Sequence, residues 1–251
     1  YGLNKPYSIT ESIAIFQDDD LLFEPGTDYL YNSYDWVLIS LAMQEASGVP
    51  FEEYVQENVL NPLGMEHTFA EGHPERPPER KSRAGSRRAR NTIGKGASTA
   101  LGPTVRTTAF YSKNRLGFRK AIPVSNYYKL AGGGYLSTSE DIAKFGQAFL
   151  EDDVLDKTAL APFLTSETIN ERPTYYGLGW QVSEDKKGSP FFGHVGNGVG
   201  GYSNFFVYPK EQMVFTILVN CTDPKVQDEL DEVVDCLINP IENNYLSTTT
   251  S

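Results

Sequence analysis

The last third of the chain changes period, and that change restricts its fold more than any other feature. YGLGWQV, SPFFGHV, GYSNFFVYP and MVFTILVN follow one another from Tyr176 onward, with short turns such as PKEQ at 209–212 between them. Aromatic and branched residues recurring at a spacing near two read as strands, and short connections between them predict an antiparallel meander. MVFTILVN is apolar on both faces, so it is expected to be central and covered on each side. Val226, Leu230, Val233, Val234 and Leu237 form one stripe, which predicts a closing helix that supplies that cover.

Upstream the period is helical. SITE at 8–11 has the form of a capping box, followed by Ile13 and Phe16 as the apolar side of a short helix. The acidic run Gln17–Asp20 reads as a solvated turn rather than a cation site, because no ordered ligand spacing follows. Trp36, Ile39, Ser40 and Met43 lie on one helical face, with Ser33 as the expected N-cap and Gly48 as the stop. Phe51, Val55 and Val59 predict a second helix that ends at Pro62. Residues 100–125 are irregular apart from a hairpin around Asn114–Arg115. Ser137 is then expected to cap a helix with Glu140 three residues on, its buried stripe being Ile142, Phe145 and Phe149.

These readings divide the chain into a mainly helical region over 1–165, an antiparallel sheet with its closing helix over 166–240, and a polar tail over 241–251. The fold class is α/β in the α+β sense, an antiparallel sheet flanked by helices. With 251 residues and 39% hydrophobic content, the chain can build one large domain or two interlocked ones. A formal charge of -11 argues against nucleic acid as the main partner. No apolar run reaches the roughly 20 residues of a membrane span. Three histidines without a Cys/His cluster argue against zinc. Cys221 and Cys236 could form one disulfide, but two buried thiols are the preferred reading. PERPPERKSRAGSRRARNTIGK at 74–95 is basic and has nothing to bury, so a solvated loop is expected; the sharper alternative is a docking patch for an anionic partner.

Two places can carry chemistry. Tyr31 lies just before a helix start, beside Asn32 and Ser33; most tyrosines so placed are packing residues with a satisfied hydroxyl. His194 ends an apolar strand, and Gly196, Gly198, Gly200 and Gly201 follow it. Backbone without Cβ atoms can touch a ligand, and peptide amides along such an edge can hold a carbonyl oxygen as it becomes an anion. The bland alternative is a strand-end histidine before a flexible loop.

Four stretches in order, PGTDYLYNS, SGVPFEEYVQENVLNPLGMEHT, AGGGYLSTSEDIAKF and GHVGNGVGGYSNFFVYP, resemble the serine β-lactamase-like family of class C β-lactamases, D-Ala-D-Ala carboxypeptidases, related esterases and a mitochondrial member. The resemblance runs over roughly positions 8–240 and implies a β-lactamase/transpeptidase-like fold. It implies proton transfer by Tyr31 and hydrogen bonding by Ser33, where the family usually has Asn. It further implies a strand-edge His194-Val195-Gly196 element, with the Asn197 amide as one oxyanion donor.

The family's nucleophilic Ser-x-x-Lys should precede Tyr31, and it does not occur there. The one literal match, Ser183 to Lys186, lies in a polar turn downstream of Tyr31 and reads as chance. The expectation is therefore a serine hydrolase acting on an ester, peptide-like amide or β-lactam without metal or organic cofactor. Its nucleophile would lie in an upstream segment of the same protein, and this chain alone would be inactive. The rival is a catalytically inactive binding or scaffold relative. The resemblance favours a periplasmic or secreted location, with a mitochondrial one as the alternative.

Overall fold

Alternating side chains build the main sheet. The computed structural model describes residues 7–71, 107–151 and 156–238. In chain order the helices are α1 (Asp35–Ser47), α2 (Phe51–Val55), α3 (Ser139–Leu150), α4 (Lys157–Leu160) and α5 (Gln227–Ile238). The strands are β1 (Phe69–Ala70), β2 (Tyr111–Asn114), β3 (Gly117–Lys120), β4 (Tyr135–Leu136), β5 (Thr168–Ile169), β6 (Arg172–Pro173), β7 (Gln181–Glu184), β8 (Pro190–Gly198), β9 (Gly201–Tyr208), β10 (Met213–Val219) and β11 (Cys221–Thr222). The main sheet runs β10-β9-β8-β7, every pair antiparallel. A hairpin of β2 and β3, turned at 114–117 as expected, is joined in parallel by β11.

One face of the meander makes the larger core. Phe192 on β8 and Phe205 and Val207 on β9 bury with Phe149 of α3, while Ile142, Phe145, Trp180 and Val214 pack around them. The expected α3 stripe is realised. At Gly146 the helix meets the sheet closely: a Cβ there would stand 2.6 Å from Val214 Cγ1 and 2.8 Å from Phe205 Cε2. A second core joins Ile9, Val37, Phe51, Ala70 and Leu130, with Phe16, Leu41 and Met43 against it.

Asp141 links the two halves. It is fully buried on α3, and its Oδ2 accepts from the His67 amide at 2.7 Å and the Thr68 hydroxyl at 2.9 Å. Lys144 Nζ donates to its Oδ1 at 3.2 Å. Burial alone would raise this carboxyl, but the three donors hold it below the ordinary aspartate range.

Several expectations are corrected. β10 is an outer strand of the four among the described residues, not a central one. α3 packs against it, but none of its residues is fully buried, and an apolar run reveals nothing about pairing at an edge. α5 buries none of its residues fully, and Val233 and Leu237 are about half exposed. Tyr176–Trp180 is not strand: Tyr176 forms only an isolated bridge to Gln181 before β7 begins. On α1 the inward residues are Val37 and Ser40, while Ile39 is 50% exposed. Apolar residues surround this helix on nearly every side, so their spacing does not select a face.

Ser33 does not cap α1. Asn32 accepts from the Tyr34 amide through Oδ1 at 3.0 Å and from the Asp35 amide through its carbonyl at 3.2 Å. Thr138, not Ser137, caps α3 by accepting from the Asp141 amide at 3.2 Å. Ser137 instead shares a 2.7 Å hydroxyl contact with Thr68. The capping box at 8–11 forms as read, with both the Ser8 amide and hydroxyl donating to Glu11 Oε2 at 2.9 Å. Gly48 closes α1 in the left-handed region at φ 68°. After α2 the chain widens into a π-helical turn over Gln56–Leu60, which buries Leu60. Cys221 is buried as expected, but Cys236 is exposed and both thiols are free. The basic stretch at 74–95 and the tail at 241–251 lie outside the described residues.

Candidate functional site

β8 carries His194 to the junction of the two cores. Phe192 and His194 share one face by strand alternation, so burying Phe192 aims His194 at the helical half. The turn before α1 brings Tyr31 to the same place. The Tyr31 and His194 rings lie 5.6 Å apart between centroids. Trp36, on the first turn of α1, donates from Nε1 to the Tyr31 hydroxyl oxygen at 3.2 Å. That bond fills one acceptor site of the oxygen and fixes the ring against α1.

His194 is locked on both sides. Its Nδ1 lies 2.8 Å from the Val195 carbonyl oxygen. A carbonyl can only accept, so Nδ1 carries the proton and Nε2 is the acceptor. The Tyr176 hydroxyl, 2.9 Å from Nε2, must then be the donor. Burial pushes the Tyr176 phenol well above its ordinary value, and the neighbouring Tyr31 and Tyr29 add to the effect, so it keeps the proton it donates. Burial lowers His194, and its bond to Val195 offsets only part of this; the ring is neutral at pH 7.

The edge of β8 beyond His194 is open backbone. β7 pairs only as far as Gly193. The Val195 amide donates to Gln181 Oε1 at 3.1 Å. Alternation turns the Asn197 amide to that same edge. The Asn197 side chain is held away by accepting from the Asp223 amide at 2.9 Å. Gly196 lies between them on the His194 face, where a Cβ would stand 2.6 Å from Ser203 Oγ. The later glycines serve a different purpose: Gly198 pairs with Gly201 across a two-residue turn, and Gly200 adopts φ +84° against Phe110 and Ala121.

Of the residues read from sequence, the structure brings Tyr31 against His194, and Gly196 and Asn197 follow His194 along β8. Ser33 is exposed on the turn, its carbonyl against Gly132; among the described residues no hydrogen bond joins its hydroxyl to β8. Ser183 is on a strand and Lys186 in the following turn, so their spacing does not put them on one helical face. Sequence read Trp36 only as a helix-face residue and Tyr176 and Gln181 only as part of a strand, so none was tied to the site. Gly177 and Gly179 around Tyr176 signal a bend: a Cβ on Gly177 would collide with the Phe163 carbonyl, and Gly179 adopts φ +94° beneath Trp36.

A family model described as Beta-lactamase matches residues 3–237. The human mitochondrial serine beta-lactamase-like protein LACTB is 28% identical over 234 residues, covering 82% of this chain and 38% of that protein. A D-amino acid amidase from Ochrobactrum anthropi SV3 superposes with a TM-score of 0.71 at 17% identity, over 94% of this chain and 66% of that one. A D-stereospecific amidohydrolase from Streptomyces sp. gives 0.69 at 22% identity, over 92% and 60%. The chain thus spans well under half the length of the curated relative.

Proposed function

The chain belongs to the Beta-lactamase family, and from that premise we propose that it forms the tyrosine and strand-edge part of a serine hydrolase working through an acyl-enzyme. The carrying observation is the meeting of the Tyr31 ring with His194 at 5.6 Å, beside the open Val195–Asn197 edge. The nucleophilic serine and its lysine belong, in this reading, to a part of the protein outside these 251 residues.

The serine oxygen bonds to the acyl carbon of an ester, peptide-like amide or β-lactam. The Asn197 amide holds the carbonyl oxygen as it gains charge. Tyr31, its oxygen held by the Trp36 indole N–H, passes a proton between the serine and the leaving group as the acyl bond breaks. Water then attacks the acyl-enzyme, and the serine regains its proton. His194, with both ring nitrogens engaged, positions Tyr176 and walls the groove instead of shuttling protons. Gly196 keeps the strand face open for the substrate. In this reading the exposed Ser33 hydroxyl hydrogen-bonds the lysine of the nucleophile segment.

The test is labelling of the intact natural protein by a fluorophosphonate, together with hydrolysis of a chromogenic ester. Tyr31→Phe should lower kcat/KM by about a hundredfold or more, the usual scale of one acid-base group. Unchanged turnover in that variant removes Tyr31 from the chemistry. A wild-type protein that takes no label favours the inactive binding relative instead.

A further inference from the structure

The β2–β3 hairpin ends in apolar side chains set among cations. From Lys113 to Lys120 it reads KNRLGFRK. Leu116 is 98% exposed at the turn, and Phe118, just inside β3, is 69% exposed. Lys113, Arg115, Arg119 and Lys120 are exposed around them. The register sets Lys113 against Phe118, and the Lys113 ammonium stands 5.7 Å from the centre of that ring. Alternation puts Arg119 on the opposite face of the ribbon. Asn114 Oδ1 accepts from the Leu116 amide at 2.9 Å, and Gly117 takes φ +113°, so the turn has a set shape. The base is anchored. A Cβ on Gly200, at the β8–β9 turn, would stand 2.6 Å from Phe110 Cβ and 3.0 Å from Ala121 Cβ, and β11 pairs alongside β2. The hairpin is thus tied to the end of the main sheet that carries Asn197.

Charge sets this ribbon apart. The chain carries a net -11, yet residues 107–139 hold five Lys or Arg and no Asp or Glu. Asp223, which follows β11 beside the hairpin, is paired with Lys225 at 2.8 Å. Among the described residues no carboxylate forms an ion pair with the four hairpin cations. Cations on an edge strand suffice to block edge-to-edge pairing. That role does not call for leucine and phenylalanine in water at the tip, and exposed apolar side chains grouped at one point mark a docking surface. A flat or convex protein partner buries little of a narrow tip. A bilayer accommodates it: the apolar side chains enter among the headgroups, while long Lys and Arg stems leave their charges at the phosphates. An anionic leaflet then attracts each cation near it.

We propose that the β2–β3 hairpin docks this protein on an anionic phospholipid surface, with Leu116 and Phe118 in the interface and Lys113, Arg115, Arg119 and Lys120 against the headgroups. The attachment is peripheral and does not depend on the acyl-transfer chemistry.

Co-sedimentation of the intact natural protein would compare vesicles of phosphatidylcholine alone with vesicles containing about 30% phosphatidylglycerol. Binding to the anionic vesicles should be stronger by about tenfold or more. It should fall as salt rises from about 0.1 M to about 1 M, where the Debye length shrinks to about 3 Å. Arg119→Glu should weaken it about tenfold and Leu116→Ser severalfold. Both positions are exposed, so Tm should not change. Leu116→Trp should add fluorescence that brominated lipids in anionic vesicles quench, beyond any quenching of Trp36 and Trp180 in the wild type. No binding to anionic vesicles, equal binding to both kinds, or binding that both variants leave unchanged overturns the assignment. So does a Leu116→Trp signal that brominated lipids do not reach. Self-association that Leu116→Ser abolishes, without vesicle binding, overturns it in favour of a second copy of the chain as the occupant.

Discussion

His194 shows how one carbonyl fixes the chemistry of a ring. The Val195 oxygen can only accept, so the proton sits on Nδ1 and Tyr176 must donate to Nε2. Nitrogen-15 NMR should find the Nδ1–H form, titrating with a midpoint below the ordinary 6.5. The folded ring takes a proton less readily than the unfolded one, so acidification through that ordinary value favours unfolding. The ring stays neutral above it, and kcat/KM should show no histidine limb at or above pH 6.5; such a limb would contradict the locked tautomer. His194 stood out in sequence through the glycines that follow it, whereas Tyr31, which by itself reads as a packing residue, was picked out by the family resemblance of Tyr31-Asn32-Ser33. Tyr176 was not, because YGLGWQV has strand-like content and only the contacts of Gly177 and Gly179 impose the bend.

Elements were legible where the pattern had a single solution. α3 has apolar residues on one stripe and polar ones elsewhere, and it folds as read. α1 is apolar on nearly every side, so its inward face was decided by contact with Phe51 and Leu130. Gly146 marks the closest approach of α3 to the sheet. Gly146→Ala should destabilise the protein despite its better helix propensity, because overpacking costs about 1–3 kcal/mol against a gain of about 1. Urea denaturation checks this; a more stable variant would mean that Val214 and Phe205 yield freely.

Across the whole molecule, Asp141 ties the His67–Thr68 segment to the helix that covers the sheet. Asp141→Asn keeps one acceptor but loses the charge, leaving donors poorly matched at a buried site. A loss of about 1–3 kcal/mol is expected. The wild-type carboxyl is held below its ordinary value, so its contribution is complete above about pH 3.9 and disappears as pH falls through the lower folded value. Denaturant midpoints should therefore converge between wild type and Asp141→Asn as pH drops from 5 towards 2. A constant gap would assign the effect to shape rather than charge.

Sequence by itself determined the meander, the α3 stripe and the first capping box. Those features follow from local periodicity and from side chains that bond their own neighbours. Only the tertiary structure decided that β10 is an outer strand among the described residues, that Asp141 is buried, and that Tyr176 and Gln181 complete the site. Each of these depends on a partner far away in the chain, and no spacing within a short window encodes which partner that will be.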